Sequence, residues 1–338
     1  MRKLLVRQLL ILSVLCAAPR AEAQTISDTF EAPSLDPAWS IVLQQQGSAS
    51  LSTDQNQTPG GLRSLKLASI SGGQRNIIVR RSLGASMKGR VSIDFYDASP
   101  GQETLYITFS LTNSVALTSA MLGTEDYDAF CYTAAMGHVA AGVNLGPGQP
   151  CGIHPGPDTT SVSRTGGWHR FSVDVGTNTT SFSIDSTVVY TFPASFSFDT
   201  VQMDLTGPGS RPDTVVYFDN FTFTPLAGCD LQLSSPTYTN GGLVTVPVFR
   251  ITNNTAAPLA TEIKSWVNVP GAAPYTLINA GADGSVLLPA SLNVNLGPFN
   301  LFPVTAANPR GGYELGCRIL DPKTGAVLGQ SQFAFVIQ

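Results

Sequence analysis

The sequence predicts an all-β protein of two sandwich domains, and three observations carry that reading. Apolar residues alternate with polar ones at period two through almost every hydrophobic run, the signature of antiparallel strands with one buried face. Turn chemistry punctuates the runs at Pro59-Gly60-Gly61, Gly72-Gly73, Pro100-Gly101 and Gly207-Pro208-Gly209. Finally, beyond the N-terminus no window of a dozen residues shows a helical period.

The N-terminus reads as an export signal. Arg2, Lys3 and Arg7 form a basic head, an apolar stretch follows from about Leu9 to Ala18, and Ala21-Glu22-Ala23 offers small residues to a peptidase. The apolar stretch falls short of the roughly 20 residues a membrane span needs. Cleavage after Ala23 removes four of the 19 basic and one of the 23 acidic residues, leaving 15 against 22 and a formal charge of −7. That balance, with no basic stripe, excludes general nucleic-acid binding. Membrane insertion after cleavage is not expected, and the destination is extracellular or periplasmic.

From Gln24 to Leu226 the periodic runs succeed one another. In 90–97, Val91, Ile93 and Phe95 share one face while Ser92, Asp94 and Tyr96 share the other. In 104–111, Leu105, Ile107, Phe109 and Leu111 oppose Tyr106 and Thr108; later Val201, Met203 and Leu205 oppose Gln202 and Asp204. About a dozen such strands are too many for one flat sheet, so two packed sheets are expected. In RTGGWHRFSVDVGTNTTSFSIDST, residues 164–187, His169, Phe171, Val173 and Val175 point one way and Trp168, Arg170, Ser172 and Asp174 the other. Trp168 there caps a strand entrance, and both it and His169 read as structural. Pro225 to Gly228 reads as a connector, and residues 229–338, with about seven strand-like runs, suit an immunoglobulin-like sandwich.

Four cysteines follow the signal. In an exported chain they favour disulfides, and the local pairs Cys131–Cys151 and Cys229–Cys317 are expected. His138 and His154 near the first pair match no compact zinc spacing.

The segment RTGGWHRFSVDVGTNTTSFSIDSTVVYT resembles the strand–turn–strand of concanavalin A-like lectin/glucanase and laminin G-like jelly rolls, with Ser186 where the usual turn has Gly. The stretches SDTFEAPSLDPAWSIV and VVYFDNFTFTPL are similar to the first and last strands of such domains. The resemblance implies a jelly roll over residues 24–226 and a structural calcium (Ca2+) held in part by Glu31 of DTFE and Asp219 of YFDN. The hydrolases of that superfamily carry a Glu-x-Asp-x-x-Glu strand, which this sequence lacks: Asp94 and Asp97 have opposite parity, and Glu31, Glu103 and Glu125 stand outside the pattern. Cleaving a glycosidic bond takes two facing carboxyl groups. The acidic run Glu125-Asp126-Tyr127-Asp128 reads as a solvated loop rather than a second calcium site.

The reading is therefore a secreted, non-catalytic protein that binds a glycan or surface polymer. Asp94, Tyr96, Tyr106, Thr108, Gln202 and Asp204 are expected to share one sheet surface, walled by Tyr127, Phe130 and Tyr132. Sugars meet aromatic rings through their C–H faces while a few polar groups fix orientation. A polysaccharide-cleaving enzyme and a structural envelope or matrix protein remain the alternatives. In the last domain Trp266 shares a face with Glu262, Lys264 and Asn268, a contact patch for a protein partner or plain cross-strand packing.

Overall fold

The computed structural model describes residues 25–70, 72–98, 106–116, 118–124, 131–138, 143–144, 159–207 and 213–338. These form strands and turns with no helix, and they divide into two compact units, Ile26–Phe223 and one that contains Thr224–Gln338.

In chain order the strands of the first unit are β1 (Ile26–Asp28), β2 (Trp39–Gln45), β3 (Gly47–Ser52), β4 (Ser64–Ser69), β5 (Arg75–Met87), β6 (Gly89–Asp97), β7 (Tyr106–Asn113), β8 (Thr118–Thr124), β9 (Cys131–His138), β10 (Val143–Asn144), β11 (Thr159–Ser163), β12 (Gly167–Val175), β13 (Thr180–Ile184), β14 (Thr187–Phe192), β15 (Phe198–Gly207) and β16 (Val215–Pro225). One sheet runs β14-β13-β12-β6-β16-β4-β3 with β1 beside β16; the other runs β10-β9-β8-β7-β15-β5 with β2 beside β5 and β11 beside β9.

Alternation does what the sequence predicts. Val91, Ile93 and Phe95 are fully buried and pair across β12 with Val173, Phe171 and His169; Phe95 stacks on Phe171 at 4.8 Å. Val79, Phe109, Leu111, Val201 and Met203 line the facing sheet, all fully buried. Aromatic contacts join the layers: Trp39 of β2 meets Phe221 of β16 edge-on at 5.1 Å, and Phe198 of β15 meets Phe223 at 5.6 Å. Two packed antiparallel sheets share one apolar core.

Two local devices hold the first sheet. Asp185 and Ser186, both at positive φ (48° and 69°), form the two-residue connection of β13 and β14; this is the type I′ hairpin turn, which matches strand twist. Ser186 thus takes the backbone a glycine would take more cheaply. In β16, Val216 and Phe218 face the core, yet so do Phe221 and Phe223. Asn220, at φ 49°, switches the parity between them.

The second unit contains β17 (Ala227–Gln232), β18 (Thr237–Tyr238), β19 (Leu243–Val246), β20 (Val248–Asn253), β21 (Leu259–Asn268), β22 (Tyr275–Ala280), β23 (Val286–Leu288), β24 (Asn293–Asn295), β25 (Phe299–Pro303), β26 (Gly311–Leu320) and β27 (Val327–Ile337). β27-β26-β21-β22 make one sheet, with β18 parallel to β27, and β17-β20-β24 another. The excess over the expected seven strands comes from pieces of two to four residues such as β18, β19 and β23, too short to show a period. A disulfide joins Cys229 of β17 to Cys317 of β26, both buried, with Cα atoms 6.2 Å apart. The expected Cys131–Cys151 bridge lies outside the described residues, as do the signal segment, Phe130, His154 and the run from Glu125 to Asp128.

Candidate functional site

The polar residues expected on one surface occupy two. Asp94 and Tyr96 stand on β6 in the first sheet; Tyr106 and Thr108 on β7, and Gln202 and Asp204 on β15, stand in the second. All six point away from the core, but the two sheets face each other across it, so their outer faces look in opposite directions. Equal parity within each strand misled the sequence reading: it gives a side chain's face, not its sheet. Tyr127 lies outside the described residues, and of Tyr132 only its strand position in β9 is described.

The first sheet's outer face carries an aromatic row. Register puts Trp168 of β12 opposite Tyr96 of β6, and Tyr217 of β16 opposite Lys66 of β4. Tyr96 packs edge-on against both neighbours, with ring centroids 5.3 Å from Trp168 and 5.8 Å from Tyr217. The Lys66 ammonium sits 5.7 Å from the Tyr217 ring centre and 2.6 Å from Asp54, which also accepts from the Tyr217 hydroxyl at 3.3 Å. Hydrogen bonding to Lys66 holds the Asp54 carboxyl below its ordinary range, and burial, with Asp54 alongside, raises the Tyr217 hydroxyl. The row therefore ends in a protonated phenol and a fixed ion pair. Trp168 and Tyr96 are half-buried, so they keep ring surface in water. The sequence places Tyr96 on this face and reads Trp168 as the cap of a strand entrance; Tyr217 is not among its candidates, because its VVYFDN context carries only a structural resemblance, and its outward parity was the available signal for its place in the row.

Next to that row lies a network of charge. Arg170 donates to Asp94 Oδ1 at 2.9 Å, to the carbonyl of Asn220 at 3.2 Å and to Thr222 Oγ1 at 3.1 Å, while Asn220 Nδ2 donates to Asp94 Oδ2 at 2.8 Å. Asp94 is thereby spent inside the protein, and Arg170, with its side chain 37% exposed, is the group left facing solvent. Asp97 points inward, as parity requires, and is clasped bidentately by Arg164 at 2.9 and 3.0 Å. His169 faces inward too; its Nδ1 lies 2.8 Å from Asp185 and its Nε2 2.8 Å from the Thr165 carbonyl, fastening the hairpin turn to the start of β12.

On the second sheet's outer face the polar groups close on themselves. Thr108 Oγ1 donates to Asp204 Oδ1 and Gln202 Nε2 to Oδ2, each at 2.7 Å, and the Arg80 side chain donates to Gln202 Oε1. Burial pushes the Asp204 carboxyl up from its ordinary value, against those hydrogen bonds and the Arg80 charge.

Glu31 and Asp219 clamp one loop. Glu31 accepts from Asn56 Nδ2 at 2.6 Å and from the amides of Leu62 and Arg63. Asp219 accepts from the amides of Gln57, Thr58 and Asn220. Burial raises the Glu31 carboxyl, but those amides, Asn56 and the Arg63 charge together bring it below normal; for Asp219 burial wins and the net shift is upward. A hard cation wants several oxygen ligands, whereas these carboxylate oxygens already accept from N–H donors and the Thr58 hydroxyl, with Arg63 donating to the Glu31 main-chain carbonyl. Among the described residues no three His, Cys, Asp or Glu gather to hold a metal. The donor set does not fit the calcium that the resemblance implies.

No protein-family model and no curated protein matches the sequence. Among solved structures, the chain is similar to a laminarinase from Flavobacterium sp. UMI-01 (12% identity, 59% of this chain and 98% of that one, TM-score 0.43). It is also similar to a glycoside hydrolase family 16 endo-glucanase from Bacteroides ovatus (14%, 59% and 99%, 0.43) and to a Bacillus licheniformis β-glucanase (10%, 59% and 97%, 0.41). Likeness at that level says nothing of this chain's chemistry.

Proposed function

We propose that this is a secreted, non-catalytic carbohydrate-binding protein whose residues 26–223 form a jelly roll that holds a polysaccharide on the outer face of its first sheet. The observation that carries this reading is the row Trp168–Tyr96–Tyr217 on adjacent strands beside a half-exposed Arg170, in which Trp168 and Tyr96 present ring surface and the buried Tyr217 backs Tyr96. A ring presented to water offers an apolar face to the C–H side of a sugar, and Arg170 and Lys66 supply donors for hydroxyls. The arrangement is preformed, so binding costs little ordering.

The second unit serves as an immunoglobulin-like spacer in this reading. Support comes from its two-sheet order, the bridge between the sheets, and Tyr313, whose buried ring sends its hydroxyl to the Pro309 carbonyl at 2.9 Å near the start of β26, as the tyrosine corner of such domains does. The bridge starts from the first strand rather than the second.

Retention of the full chain on a panel of immobilised neutral β-glucans, xylan, mannan and galactan tests the proposal. Wild type should be retained by at least one polymer without releasing reducing ends, and Tyr96→Ala/Trp168→Ala should run free. Release of reducing ends would instead favour the cleaving enzyme, and retention unchanged in the double variant would remove the site.

A further inference from the structure

The outer face of the sheet β22-β21-β26-β27 carries a second arrangement. Register places Lys264 directly between Asn279 and Arg318, and Arg318 beside Gln330, so four polar side chains cross the sheet in one row. The adjoining row holds Trp266 opposite Gly316, with Gln332 beyond. A Cβ on Gly316 would lie 2.3 Å from Cε2 and Cζ2 of Trp266, so the indole rests flat on bare backbone. Glycine within a strand weakens it and marks a place where something must approach closely; here it lets the indole lie down, half-buried, with ring surface left to solvent.

Like charges directly opposite on neighbouring strands repel, and Lys264 faces Arg318. Glu262 Oε1, 3.0 Å from Lys264 Nζ, offsets one of the two cations. Among the described residues Arg318 meets neutral groups: its Nε donates to Gln330 Oε1 at 3.2 Å, and its guanidinium lies 5.4 Å from the Trp266 ring centre. One uncompensated cation therefore lies over the aromatic ring of Trp266, between amides that donate hydrogen bonds.

We propose that this face binds an anionic polysaccharide: its carboxylate or sulfate pairs with Arg318 and Lys264 while the pyranose ring packs against the part of Trp266 left to solvent. Guanidinium groups hold both oxyanions bidentately, and an anion between the two cations relieves their repulsion. The site uses no residue of the Trp168–Tyr96–Tyr217 row.

Calorimetric titration of the full chain at low salt with polygalacturonate, a sulfated galactan and a neutral galactan tests this. The expected result is binding to at least one anionic polymer at least tenfold tighter than to the neutral galactan, weakening as salt rises. Arg318→Gln removes the charge but keeps part of the stem and a hydrogen-bonding head, and should lose at least tenfold with an unchanged melting temperature; Trp266→Ala should lose as much, and Tyr96→Ala/Trp168→Ala nothing. Preference between polygalacturonate and the sulfated galactan tells carboxylate from sulfate. No binding to either anionic polymer, wild-type affinity in Arg318→Gln, or loss in the Tyr96/Trp168 variant would overturn the proposal, while the neutral-polymer panel judges the first site separately.

Discussion

The two outer faces of the 26–223 sandwich draw on the same residue types and reach opposite states. On the first sheet, Asp94 is consumed by Arg170 and Asn220, which leaves Trp168, Tyr96 and a half-exposed cation toward water. On the second, Thr108, Asp204 and the Gln202 amide satisfy one another, and Thr108 and Asp204 are buried. A polar outward position is thus no guide to binding by itself; what matters is whether its hydrogen-bonding capacity is already used.

That contrast can be broken most forcefully through Asp97 and Arg164. Their pair is almost solvent-free, with side chains 2% and 0% exposed, at the end of the strand that carries Tyr96. Arg164→Met takes the bidentate partner from a buried carboxylate and should cost about 3–5 kcal/mol in urea unfolding, with loss of polymer retention because Trp168 follows on the segment it anchors. Asp97→Leu/Arg164→Met removes both charges and should recover much of the loss. Equal stability of Arg164→Met and wild type would show that this anchor is not needed.

A smaller effect separates the faces by pH. Because burial raises the folded-state carboxyl of Asp204, the folded protein holds that proton to higher pH than the unfolded chain. Its contribution to stability is complete below the ordinary carboxylate range, near pH 4, and declines as pH rises through the raised folded value. Asp204→Asn should flatten this part of the profile of urea midpoint against pH; an unchanged slope would show that Asp204 does not carry it. Glu31, shifted the other way, contributes stability above the ordinary range that fades as pH falls, and Glu31→Gln should remove that acid-side loss.

The smallest change concerns the turn behind Arg170. Ser186→Gly relieves a non-glycine residue at φ 69° and should stabilise by about 1 kcal/mol, read as a higher melting temperature with retention unchanged. A lower melting temperature would contradict the turn assignment.

Much of this was legible in the sequence. Period-two alternation gave inward Val91, Ile93 and Phe95, the opposite parity of Asp94 and Asp97, and the β-meander from Trp168. What stayed hidden is pairing at a distance. Nothing local says that β6 and β7, adjacent in the chain, enter different sheets, which is why Tyr96 and Tyr106 were expected side by side. The row from Trp168 through Tyr96 to Tyr217 joins neighbours 72 and 121 positions apart, and the left-handed Asn220 that resets parity in β16 has no unambiguous sequence mark. Likewise DTFE and YFDN show where two carboxylates sit, but not that the amides between Gln57 and Arg63 fill them.

The most direct test compares dissociation constants of wild type, Trp168→Ala and Asp204→Asn for the best-retained neutral polymer under identical buffer. The account expects Trp168→Ala to weaken binding at least tenfold, the scale of losing one well-packed aromatic contact, with Asp204→Asn within twofold of wild type. The reverse order, with Asp204→Asn crippled and Trp168→Ala intact, would move the site to the second sheet and contradict it.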